Sequence, residues 1–124
     1  MIRHPAKTKN VSESQHQKAF FEWLSHYPNI RSLTFAIPNG GRRDAREARN
    51  LKLQGVTAGV PDIFIAIPSK EFNGLFLELK AGKNKTTKNQ DIMIYKLREN
   101  GYKVEVCYGW EEAKNVCVDY LDFN

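Results

Sequence analysis

Between Asp62 and Lys80 the side chains alternate strictly enough to dictate a β-hairpin. The odd positions, Ile63, Ile65, Ile67, Leu75, Leu77 and Leu79, are all aliphatic; the even ones are Asp62, Phe64, Ala66, Phe76, Glu78 and Lys80. Successive side chains of a strand point to opposite faces, so the odd set is expected on a core. Residues 68–74 supply the connection, centred near Glu71. A loop there brings the start of the first strand beside the end of the second. Asp62 is therefore expected on the face of Glu78 and Lys80, within a residue or two of lateral register.

Two carboxylates and an ammonium at one end of an apolar hairpin are costly to bury. Adjacent carboxylates raise each other's pKa unless a cation sits between them. Mg²⁺ answers that need, because it takes carboxylate and backbone oxygens and keeps several waters. Lys80, on the same face, could then orient or deprotonate a water there. The plainer explanation is a salt bridge at a sheet edge. A lone Asp and Glu-x-Lys would favour it, since that triplet is common by chance.

The rest of the chain frames this hairpin. A first helix is expected from Ser12, where Ser12 and Gln15 have capping-box spacing; its stripe is Phe20, Trp23, Leu24 and Tyr27, and Pro28 and Asn29 end it. Residues 33–37 read as a short strand closed by the turn Pro38-Asn39-Gly40-Gly41. Residues 42–54 read as a second helix, with Ala45, Ala48 and Leu51 inward and Gly55 just past its end. After strands at 62–67 and 75–80 comes a helix over 86–100, with Thr87 and Gln90 as a capping box and Gly101 as its stop. A strand over 103–108 and a helix over 110–121 complete the order α-β-α-β-β-α-β-α. That order predicts an α/β or α+β fold, a mixed sheet with helices on its faces.

Composition narrows the function classes. At 124 residues, 41% apolar and 27% charged, the chain is globular and has room for one core. No apolar run approaches a membrane span. Residues 1–10 carry Arg3, Lys7 and Lys9 without an apolar stretch, unlike a signal peptide. We therefore expect a flexible basic arm over 1–11, a single domain over 12–124, and a cytoplasmic protein. Cys107 and Cys117 lack any CxxC or Cys/His spacing, so they are expected as reduced, partly buried thiols.

The residues in succession are Ile37-Pro38-Asn39-Gly40-Gly41, then Gly55-Val56-Thr57-Ala58-Gly59-Val60-Pro61-Asp62, then Leu77-Glu78-Leu79-Lys80 and Gln90. Pro61-Asp62 followed by Glu78-Leu79-Lys80 resembles the PD-(D/E)xK nuclease signature. The whole succession resembles the VRR-NUC family, the virus-type replication and repair nucleases, from about Ser12 to Leu121. The resemblance implies a restriction-endonuclease-like mixed sheet and a Mg²⁺-dependent phosphodiesterase in which Mn²⁺ can substitute. Asp62, Glu78 and the backbone carbonyl of Leu79 would be metal ligands. Lys80 would position the attacking water and stabilise charge on the phosphate. Related nucleases also place a first-helix Glu near the metal, which points to Glu13. Helix-dipole stabilisation explains an acid there equally well. Gln90 resembles the Gln that follows the catalytic strand, and a capping role accounts for it too. His16 is expected to be packed or solvated.

The basic residues give a separate clue. Residues 42–52 carry net +3 and residues 80–88 net +4, together more than the +5 of the whole chain. Positive charge is thus concentrated near the hairpin, where phosphates would bind. Arg42, Arg43, Arg46, Lys83 and Lys85 are the expected DNA contacts. Asn39 joins them because its turn could bring backbone amides close to a phosphate. No base-reading motif is visible, so recognition of shape and backbone is expected.

The reading is a Mg²⁺-dependent, structure-specific DNA endonuclease acting on branched DNA such as Holliday junctions. The resemblance further implies a homodimer, in a bacterial or virus-infected cell. The rivals are an exonuclease or flap nuclease, a non-catalytic DNA-binding module, and a sequence-specific restriction-like enzyme. Intact Asp62, Glu78 and Lys80 argue against the module. The lack of an appended recognition domain argues against the restriction-like enzyme.

Overall fold

Capping chemistry sets two helix starts where the sequence places them. The computed structural model describes residues 11–38 and 44–123. Helix α1 (Glu13–Leu24) begins after Ser12, whose hydroxyl accepts from Gln15 N while the Gln15 side chain accepts from Ser12 N. Helix α4 (Lys88–Glu99) begins after Thr87 with the same reciprocal pair to Gln90. In each, two otherwise orphaned N–H groups are satisfied.

The other elements are α2 (Pro28–Arg31), β1 (Thr34–Ala36), α3 (Ala45–Leu53), β2 (Ile63–Ile65), β3 (Leu75–Lys80), β4 (Lys103–Tyr108) and α5 (Trp110–Leu121). The sheet runs in the order β1-β2-β3-β4, antiparallel except for the parallel pair β3 and β4. This is the mixed sheet flanked by helices that the sequence predicts. Ile63, Ile65, Leu75, Leu77 and Leu79 are fully buried, and with Phe20, Leu24, Ala113 and Cys117 they form the core beneath α1 and α5. Each such aliphatic side chain contributes roughly 2 kcal/mol. Five of them hold the hairpin register against the several kcal/mol that burying its acids costs, to order of magnitude.

The even face is covered as well. Phe64 and Phe76 stack with centroids 4.4 Å apart, under Ile94 of α4 and beside Val104. The odd-even alternation therefore separates two apolar layers, and the acids lie in the second layer at the end of the strands.

Four expectations need correction. Helix α3 starts at Ala45 and not at 42, because Asp44 stays extended and caps it by accepting from Glu47 N at 2.7 Å. Helix α1 stops at Leu24, and Pro28 opens α2 instead of ending α1. Tyr27 precedes a proline and adopts φ −129°, ψ 76°, because the proline ring disfavours helical geometry in the residue before it. Ala45 and Ala48 are exposed and Leu51 only half-buried, so α3 does not turn that stripe inward. Two methyl groups and one leucine offer little area to bury, and Leu53, at 82% exposure, points to solvent. Ile67 lies beyond the end of β2 and is half-buried. The expected basic arm falls almost wholly outside the described residues. So does most of the Pro38–Gly41 turn, with Asn39, Arg42 and Arg43.

Candidate active site

The hairpin register places Asp62 opposite Glu78. Ile63 pairs with Leu77, so the next position outward on β2 faces the next on β3. Asp62 Oδ2 accepts from the Leu79 backbone N–H at 2.7 Å, and the Asp62 carbonyl accepts from Ile37 N at 2.7 Å. Both ends of the aspartate are thus fixed by strand edges before any ligand arrives.

Glu78 is only 2% exposed. Its Oε2 accepts from Gln90 Nε2 at 3.0 Å and lies 3.7 Å from the Lys80 ammonium. Its Oε1 is buried without a hydrogen-bond partner among the described residues. A purely structural ion pair would be expected to satisfy both oxygens, because a bare buried carboxylate oxygen is expensive.

Burial first, and then the Asp62 charge, push Glu78 up to about 8, with Glu13 adding to the rise and Lys80 opposing it. Asp62 is raised too, first by burial and then by Glu13, while the Leu79 N–H and Lys80 hold it down. Burial and the Asp62 charge therefore favour the protonated form of Glu78 while no cation is near. A cation beside the pair would reverse that preference by offsetting the same repulsion.

Gln90 caps α4 and also touches Glu78. Its side-chain oxygen caps α4 through Thr87 N while its amide nitrogen holds Glu78. Glu13, in the first turn of α1, accepts from Asn84 Nδ2 at 3.2 Å. It is near enough for its charge to raise both Asp62 and Glu78. Among the described residues, no three His, Cys, Asp or Glu side chains converge closely enough to hold an ion by themselves. His16 is packed: its Nδ1 accepts from Trp110 N at 3.1 Å and ties α1 to the start of α5.

Arg46, Lys83 and Lys85 are exposed, Arg46 on α3 and the two lysines in the loop after β3. Two residues escaped the sequence reading. Asn84 reaches Glu13, and the exposed Tyr108 donates its hydroxyl to the Asn84 carbonyl at 2.8 Å. The available signal was the parallel pairing that sets Tyr108 beside Lys80. Cys107 and Cys117 are buried, with both thiols raised to about 12 by burial, and so are inert at neutral pH.

The donor set fits a hard divalent ion. Two carboxylates converge, one of their oxygens is orphaned, and burial with repulsion from neighbouring acids raises both pKa values in the absence of a compensating charge. A family model described as the VRR-NUC domain matches residues 11–111. A solved structure described as a "VRR_NUC domain protein" is 25% identical, covers 92% of this chain and 91% of its own, and superposes with a TM-score of 0.80. No curated protein matches this chain in sequence.

Proposed function

The chain belongs to the VRR-NUC domain family and so has a nuclease-type function; we propose that it is a Mg²⁺-dependent, structure-specific endonuclease of branched DNA. The observation that carries this reading is the buried Asp62–Glu78 pair, with its orphaned Glu78 Oε1 and with Lys80 beside it. Asp62, Glu78, the Leu79 carbonyl and Glu13 would hold the ion, with Mn²⁺ able to substitute. When bound, the ion supplies Lewis acidity at the phosphoryl oxygen and lowers the pKa of a nearby water.

The remaining roles belong to this chain's own groups. The Leu79 N–H fixes the Asp62 carboxylate, and Gln90 fixes that of Glu78. The ammonium of the buried Lys80 orients the attacking water and stabilises charge developing on the phosphate. Arg46, Lys83 and Lys85, with Asn39, Arg42 and Arg43, hold the DNA backbone. No helix among the described residues is long and apolar enough to cross a membrane; we take the cytoplasm as its place of action. A homodimer would pair two sites for two-strand cleavage. That reading is supported by the family and by two exposed apolar side chains, Phe35 on the sheet-edge strand β1 and Leu33 just before it.

The test is incubation of the protein with end-labelled four-way junctions, flaps and linear duplexes, in Mg²⁺ or in EDTA. Internal cuts near the branch in Mg²⁺ alone are expected. Shortening from linear ends would make it an exonuclease, cuts confined to flaps would make it a flap nuclease, and binding without cleavage in either Mg²⁺ or Mn²⁺ would make it a binding module.

A further inference from the structure

The loop after β3 leaves the candidate site carrying Lys83 and Lys85, and it is tied down at one residue between them. Asn84 donates its side-chain amide to Glu13 Oε2 at 3.2 Å. Its carbonyl accepts the Tyr108 hydroxyl at 2.8 Å, and its N–H donates to Ala81 O at 3.1 Å. Tyr108 is itself fixed, since its N–H donates to Glu112 Oε1 at 2.9 Å. The tether thus runs from α1 to β4 through a single asparagine.

The choice of an amide has an electrostatic consequence. Asn84 satisfies Glu13 without neutralising it, whereas a lysine there would spend its charge on an ion pair. Lys83 and Lys85 are exposed and make no ion pair among the described residues. Both ammonium groups remain available to phosphates, while the backbone between them is held at a fixed distance from the acids.

We propose that Asn84 is a positioning residue: anchored by Glu13 and Tyr108, it holds Lys83 and Lys85 as a phosphate clamp that sets which phosphodiester reaches the Asp62–Glu78 pair. This rests on the nuclease reading above. Without the tether the lysines still attract DNA, but they must be ordered when it binds, which weakens affinity and blurs register.

The experiment compares wild type, Asn84→Ala and Tyr108→Phe, the second keeping the ring and losing only the hydroxyl. DNA affinity is measured by anisotropy in EDTA, and cut positions are mapped at nucleotide resolution in Mg²⁺. Both variants should bind about tenfold more weakly, the scale of ordering two long side chains. Their cuts should spread to neighbouring phosphodiesters, while the thermal midpoint stays at the wild-type value. In a Lys83→Ala/Lys85→Ala background, adding Asn84→Ala should change affinity little, because the clamp it positions is gone.

Wild-type affinity and a single cut position in both variants would overturn the tether. So would an Asn84→Ala effect that persists undiminished without the lysines. A wild-type protein that binds DNA but cuts nothing would instead defeat the nuclease reading, while the affinities in EDTA would still decide the tether.

Discussion

Lys80 sits two residues after Glu78 on β3, buried, with its ammonium 3.7 Å from Glu78 Oε2. It approaches the acids without replacing either, so Lys80→Ala should leave most metal and DNA affinity intact. Single-turnover cleavage should fall about a hundredfold, the scale of losing one positioned proton-transfer or charge-stabilising group. Lys80→Arg should rescue it poorly, since a guanidinium is bulkier and stays protonated. Cleavage at the wild-type rate by Lys80→Ala would remove Lys80 from the mechanism. Glu78 makes a second prediction, about stability. Its pKa is about 8 in the folded chain against an ordinary 4.5. Its contribution to stability is complete below about 4.5 and is lost as pH rises through 8, because only the folded chain then still holds the proton. In EDTA, the thermal midpoint of Glu78→Gln should gain on wild type between pH 5.5 and 8.5. A gap that does not change with pH would contradict the shift. Asp62, Glu78 and Lys80 were legible because alternation reports which face a residue takes. The orphaned Oε1 was not, since it depends on where Gln90 and Lys80 stop.

Several element boundaries followed caps and glycines that the sequence states locally, although the Asp44 cap of α3 was passed over. Ser12, Thr87 and Gly101 mark three of them, and β4 and α5 fall where their patterns end. The end of α1 was missed because the apolar spacing of Tyr27 continues a helix that Pro28 forbids one residue earlier. The inward face of α3 was missed because spacing cannot say whether a small stripe finds anything to pack on. Gly59 marks where helix α4 meets the approach to β2. It has φ +88°, and a Cβ there would meet Asn89 O at 2.5 Å. Gly59→Ala should destabilise the chain by about 1–3 kcal/mol through backbone strain and this clash. It should also shift the α4 turn that carries Gln90, weakening the hold on Glu78. Urea unfolding measures it, through a lower midpoint with an unchanged slope. A midpoint equal to wild type would mean that the turn gives way freely.

Across the whole molecule, charge and topology agree. The sheet delivers two acids and a lysine to one end of β2 and β3, and the following loop adds Lys83 and Lys85. DNA affinity should therefore fall steeply with salt. Neutralising Arg42, Arg46, Lys83 and Lys85 together should flatten the slope of log K against log salt by about 0.9 for each that meets a phosphate. An unaltered slope would place the DNA elsewhere. The central proposal is narrower: the Asp62–Glu78 pair holds a divalent cation, whose binding displaces the proton that burial favours on Glu78. Calorimetric titration of Mn²⁺ at pH 7, in two buffers of different ionisation enthalpy, tests it most directly. One site should appear, releasing about one proton per ion as Glu78 deprotonates. Asp62→Ala should lose the site while its circular dichroism spectrum is retained. Binding without proton release, or an Asp62→Ala variant that binds as wild type does, would contradict the account.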